Sequence, residues 1–154
     1  MALVLFFVPN PDKGVAEMIR VCKSEGKIAA YVWDILGHGL PTSPIHQIFA
    51  AKGIPVLVPP RSEVSTKEAL QLVFEKNGAK LVETATFKVE RIFDSYEEYW
   101  SLSSKSNSVF PALKDLDPKL IDEVKNELKA NLDIDQQGRV KATAHANAVK
   151  GYAD

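Results

Sequence analysis

The run Leu3-Val-Leu-Phe-Phe-Val8 constrains this chain more than any other feature: six apolar residues without a polar interruption, closed at once by Pro9-Asn10-Pro11. A strand packed on one side alternates apolar with polar residues, whereas an unbroken run asks for cover on both faces, the pattern of a central strand in a parallel sheet. Asn10 then offers an N-cap oxygen and Pro11 fits a first helical turn. Val15, Met18, Ile19 and Cys22 recur at helical spacing, so an amphipathic helix is expected to end near Gly26. Lys27 to Trp33 is a second β-prone run. Strand, helix, strand predicts a right-handed crossover with a parallel pair.

The remainder alternates in the same way. Gly37, Gly39 and Pro41 mark a loop, and Ser43-Pro44 opens a short helix with Ile45, Ile48 and Phe49 on one face, stopped by Gly53. Ile54 to Val58 is extended. Ser65-Thr-Lys-Glu68 has the form of a capping box before the stripe Ala69, Leu70, Val73, Phe74 and the stop Asn77-Gly78. Lys80 to Glu90 is rich in β-branched residues and is expected as a strand. Asp117-Pro118 caps a helix with Leu120, Ile121, Val124 and Leu128 inward and Leu116 as a staple, ending near Asn131. Val140 to Val149 alternates small apolar with polar residues, and is expected antiparallel to the Lys80 strand with its alanines on the drier face. No repeat or linker divides the chain, so residues 1–154 are expected as a single α/β domain with helices on both sheet faces.

Composition narrows the function classes. Nineteen Lys plus Arg against twenty Asp plus Glu leave a net charge of −1. No basic face is dense enough to track a phosphate backbone, so nucleic acid is not expected as a partner. The longest apolar run, Ala2 to Val8, is far below the roughly 18 residues that cross a bilayer, and no membrane partner is expected. One cysteine, Cys22, permits no internal disulfide and suits a cytoplasmic setting; on its helical stripe it is a small core hydrophobe. His38, His46 and His145 lack the spacing of a zinc helix. Asp133-Ile-Asp-Gln-Gln-Gly138 carries acids at positions one and three of a calcium loop, but Gln137 and Ala144 stand at positions five and twelve, so it is a turn. No metal is expected.

Five strings stand in a recognisable order: Phe7-Val-Pro-Asn-Pro-Asp-Lys13, Gly26-Lys-Ile-Ala-Ala-Tyr-Val-Trp-Asp34, Ser65-Thr-Lys-Glu-Ala-Leu70, Phe93-Asp-Ser-Tyr-Glu-Glu-Tyr-Trp100 and Ala146-Asn-Ala-Val-Lys-Gly151. Together they resemble the carboxy-terminal half of class I S-adenosylmethionine-dependent methyltransferases, especially the small-molecule branch that includes the ubiquinone and menaquinone biosynthesis type. The resemblance spans nearly the whole chain. It implies a partial Rossmann-like sheet, with a parallel βαβ start and an antiparallel pair at the end. It also implies that the segments after the fourth and fifth family strands border a substrate pocket. Phe7, Val8, Pro9 and Asn10 would line one wall, and Trp33 and Asp34 another. Read without the resemblance, Asn10 is a helix cap, Trp33 a core residue and Asp34 a water-facing loop carboxylate. Nothing compels any of them to be a catalytic base. Tyr96, Glu97, Glu98, Tyr99 and Trp100 would pack near the pocket mouth in relatives; on composition alone they form a helix whose aromatics cover the sheet.

In that family the cofactor is held by a glycine-rich turn after the first strand and an acidic residue ending the second. This sequence begins at the equivalent of the fourth strand and carries neither, and Gly37-His-Gly39 follows the wrong strand. S-adenosylmethionine is therefore implied by resemblance only, and the chain alone is not expected to bind it. A bare Leu3–Val8 strand would also leave unpaired amides and wet side chains. A homodimer is expected, with Leu3, Leu5, Phe6 and Phe7 and the helix from Pro11 at the interface, or a separate chain supplying the cofactor half. Two functions follow: a methyltransferase fragment inactive without that half, and a non-catalytic module binding a small molecule or protein.

Overall fold

One sheet of three strands, in the order β1 (Lys27–Trp33), β3 (Val140–Tyr152), β2 (Lys80–Phe93), organises the computed structural model, which describes Met1–Asp154. The last strand of the chain is thus the central one. It pairs antiparallel with β1, from Lys27 opposite Tyr152 to Trp33 opposite Ala146. On its other side Glu83 meets Lys150, Thr86 meets Asn147 and Glu90 meets Lys141. One index falls as the other rises, so β2 is antiparallel to β3 as the sequence suggested. The helices are α1 (Pro11–Val21), α2 (Ser43–Ala51), α3 (Lys67–Lys76), α4 (Tyr96–Ser103), α5 (Phe110–Leu113) and α6 (Pro118–Asn131). None is long and apolar enough to cross a membrane.

The expected parallel βαβ start does not form. Leu5–Phe7 is a 3₁₀ turn, and parallel pairing shrinks to one bridge between Ala2 and Tyr31, with Leu3 N–H donating to Tyr31 O at 2.8 Å and Tyr31 N–H to Met1 O at 3.1 Å. Leu3, at φ 54°, turns the chain out of its extended path. The reason lies in what the sheet covers. Along β1, Ile28, Ala30 and Val32 are buried while Lys27, Ala29 and Tyr31 are exposed, so helices shield one face there rather than two. An extended Leu3–Val8 would send alternate side chains toward each face. The 3₁₀ turn instead places the neighbours Leu5 and Phe6 together in the core, and Phe7, edge-on to Phe6 at 4.7 Å, stays 57% exposed.

The chain divides into two compact units. The first comprises Met1–Leu40, Pro59–Val89 and His145–Asp154, and the second Pro41–Val58 and Glu90–Ala144. In the first, Leu5, Phe6, Val15, Val32, Leu70 and Phe74 form the buried core, with Met18, Ile19 and Cys22 of the α1 stripe packed at its edge. In the second, Ile45 and Phe49 of α2, Tyr99 of α4, and Val124 and Leu128 of α6 do the same. Local signals set the helix ends. Asn10 Oδ1 accepts from Lys13 N–H at 3.0 Å and Asp117 Oδ1 from Lys119 N–H at 2.8 Å. The cap of α3 is Thr66 rather than Ser65, its hydroxyl accepting from Ala69 N–H at 3.1 Å.

Since Leu5 lies inside its own unit, Leu5→Ala should lower the unfolding free energy by about 2–5 kcal/mol. Phe7→Ser at the exposed neighbour should stay within about 0.5 kcal/mol. Urea titration giving equal small losses would mean that the segment is not packed this way.

Candidate functional site

Three segments gather at the carboxyl end of β1 in the first unit. The Ala2–Tyr31 bridge is parallel, so the chain after it leaves the sheet at the end where Trp33 and Asp34 stand. The third segment, around the 3₁₀ turn Ser62–Ser65, is tied to the first by Arg61. Its backbone N–H donates to Phe6 O at 3.1 Å, and its Nε and Nη2 donate to Pro9 O at 3.2 and 3.0 Å. It is tied to the second by Leu36 N–H, which donates to Ser65 Oγ at 3.4 Å.

Asn147 fastens this cluster to the sheet. Its Nδ2 donates to Ser65 O at 2.9 Å, and its Oδ1 accepts from the Thr86 hydroxyl at 2.7 Å. Ser65 and Asn147 are both buried, which moves the α3 cap to Thr66. The alternation of β3 had suggested alanines on the drier face. From Val140 to Ala146 that face is the drier one, with Val140, Ala144 and Ala146 buried; beyond it, pairing places Asn147, Val149 and Gly151 opposite the buried Val32, Ala30 and Ile28, so the core side changes along the strand. A single polar residue in line with Val149 and Gly151 is the signal that could have revealed Asn147.

A groove of about 260 Å³ lies here, lined by Pro9, Asn10, Asp12, Arg61, Glu63 and Val73 among others. It takes in two of the six expected wall residues. Val8 and Trp33 pack against the core, and Phe7 is exposed. Asp34 folds back on its own loop: Oδ1 accepts from Gly37 N–H at 3.1 Å, and its carbonyl accepts from Gly39 N–H at 2.6 Å. Arg61 and Glu63, an ion pair at 3.6 Å, carry no sequence pattern and were missed. Of the expected interface residues, Leu5 and Phe6 are buried in their own unit and Leu3 is half-buried.

The Gly37-His38-Gly39 turn does not fit S-adenosylmethionine. Its two glycine amides are spent on Asp34 and the His38 amide on Ile35 O, and an added Cβ at Gly39 would come within 2.9 Å of His145 O, so no open cradle exists there. No group of three or more His, Cys, Asp or Glu side chains is placed to hold a metal ion. Asp133–Gly138 is a turn, in which Asp135 accepts from Gln137 and Arg139 amides at 2.9 Å each and is held below its ordinary pKa by Arg139.

In the second unit, Tyr96 and Tyr99 are core residues. Burial, helped by Glu97, pushes the Tyr96 phenol up to about 12, and its hydroxyl donates to Lys125 O at 2.6 Å. That excludes it as a base near neutrality. His46 is buried with Nε2 unpartnered, and burial lowers its pKa against an opposing backbone hydrogen bond at Ser108.

Two stability tests follow. Asn147→Ala leaves the Ser65 carbonyl and Thr86 hydroxyl without their partner and should cost about 1–3 kcal/mol in urea unfolding; no loss would remove its role as fastener. For His46 the unfolded chain takes up a proton at a higher pH than the folded one. Its contribution is thus complete above about pH 6.5 and is lost as pH falls through the lowered folded value. His46→Leu should flatten that acid slope, and an unchanged slope would place the titration elsewhere.

No protein-family model and no curated protein matches this sequence. Among solved structures the chain is similar to a "putative methyltransferase" from Bacillus halodurans C-125, with a TM-score of 0.51 over 98% of this chain and 13% identity. At that identity the likeness is one of fold, a mixed α/β architecture of methyltransferase type. The chain spans 66% of that structure's length.

Proposed function

We propose that this chain forms the substrate-side part of a class I S-adenosylmethionine-dependent methyltransferase acting on a small molecule, of the branch that includes the ubiquinone and menaquinone type. It does not bind the cofactor by itself. The cofactor-holding elements come from polypeptide outside these 154 residues. The observation that carries this reading is the groove between the Pro9–Asp12 and Arg61–Val64 segments, beside the loops that gather at the end of β1. A concave site built from loops on a packed scaffold is where ligands are usually taken. The methyltransferase-type fold likeness agrees with it.

Methyl transfer asks chiefly that the acceptor be held in line with the sulfonium carbon, and a base only where the acceptor must lose a proton. The groove is suited to positioning. Asn10 and Arg61 are fixed by backbone contacts, and Asp12 accepts from Asn77 and Lys76 at 3.2 Å each. The same satisfaction of its polar groups favours the second reading, a non-catalytic small-molecule module.

Calorimetric titration of the chain with S-adenosylmethionine is expected to give no saturable heat at micromolar concentration, and saturable binding would overturn the absence of a cofactor site. Small phenolic acceptors followed by NMR should shift the amides of Asn10, Arg61 and Glu63 first. Shifts confined to other parts of the chain would overturn the placement of the groove as substrate site.

A further inference from the structure

The longest strand of the sheet is also an edge. Strand β2 has β3 on one side and no strand on the other, and of its residues only Phe93 is buried. Leu81, Phe87 and Ile92 are 77%, 57% and 59% exposed, and Val89 is exposed as well. A long edge strand carrying large apolar side chains presents an open sheet edge and wet surface together, the combination that draws another strand. Charges along it, Glu83 and Arg91 among them, do not forbid such pairing but restrict its register.

We propose that β2 is a self-association seam, at which a second copy of this chain pairs antiparallel with β2 about a two-fold axis beside Phe87. A two-fold axis normal to the sheet keeps every side chain on its own face, so the axis must pass beside a residue and not between two. Four residues lie nearest the strand's midpoint. An axis at Lys88 sets lysine against lysine, and an axis at Ala85 sets Glu83 against Phe87, a charge facing a ring. An axis at Thr86 sets Leu81 against Arg91 and Glu83 against Val89, a charge facing an apolar group each time. An axis at Phe87 sets Glu83 against the partner's Arg91, Val82 against the partner's Ile92 and Ala85 against the partner's Val89, with the two phenylalanines adjacent at the axis. Charge meets opposite charge and apolar meets apolar. This register also overlaps nearly the whole of β2. Glu83 already lies 3.1 Å from Lys150 and Arg91 lies 3.8 Å from Glu98. Those pairs are exposed and can be shared across the seam. The seam closes on itself, so association stops at two.

Light scattering of the full chain across the micromolar range should give twice the chain mass, and amide exchange along β2 should slow as concentration rises. Phe87→Lys puts two like charges at the axis and should raise the dimer dissociation constant by about tenfold or more, with unchanged circular dichroism. Glu83→Arg should weaken the dimer, and Glu83→Arg with Arg91→Glu should restore it. A wild-type mass of one chain throughout, a dimer indifferent to Phe87→Lys, or masses above two would each overturn the proposal.

Discussion

A buried side-chain amide must find partners for both its ends, and Asn147 finds them in two distant parts of the chain. Ser65 lies 82 positions away and Thr86 lies 61. Each hydrogen bond is worth only about 1 kcal/mol net, but a stranded carbonyl at Ser65 would cost about as much again or more. The interaction therefore selects one placement of the Ser62–Ser65 turn far more sharply than it stabilises it. From that placement the rest of the loop cluster follows, because Arg61 can reach Phe6 O and Pro9 O only when the turn is seated. The N-terminal 3₁₀ turn is tied to it through the Arg61 backbone N–H, and the approach to α1 through the guanidinium.

One-sided cover is the second determinant. The face of β1 bearing Ile28, Ala30 and Val32 is sealed by Leu5, Phe6, Leu70 and Phe74 of the same core. The other face carries a shallow depression of about 380 Å³, floored by Ala29, Ala85 and Ala148 and flanked by Tyr31, Phe87 and Lys150. An apolar run at the start of the chain cannot remain a strand beside a sheet of this kind, since half of it would face water. Its collapse into a 3₁₀ turn is a burial decision, not a failure of β propensity.

Signals confined to a few neighbouring residues were legible in the sequence. The caps at Asn10 and Asp117, the stops at Gly53 and Asn77-Gly78, and the three strand positions depend on local chemistry, and the structure has them. Strand order was not legible. Periodicity tells which residues share a face and nothing of which strand lies alongside, so β3 could not be seen to run beside β1, nor could its core side be chosen. The site divides in the same way: Pro9 and Asn10, which line the groove, were named by the family resemblance, while the local pattern alone made Asn10 a helix cap. Arg61 and Glu63 sit in an irregular stretch after Pro59-Pro60, where only long-range contacts give them meaning.

Those contacts also decide what the groove can still offer. Asn10 spends its carbonyl oxygen on the helix cap and keeps its amide donors. Arg61 spends Nε and one Nη2 hydrogen on Pro9, faces Glu63 through Nη1, and keeps its other Nη2 hydrogen. Nearby, Asp12 takes one hydrogen bond on each oxygen, from Lys76 and Asn77, and Glu63 faces Arg61 at 3.6 Å, so both carboxylates keep lone pairs. What remains is a site with donors and acceptors both to offer, and with Val64 and Val73 as its apolar wall. A ligand that presents polar groups at one edge of a small apolar body would complete it without breaking any bond the fold depends on.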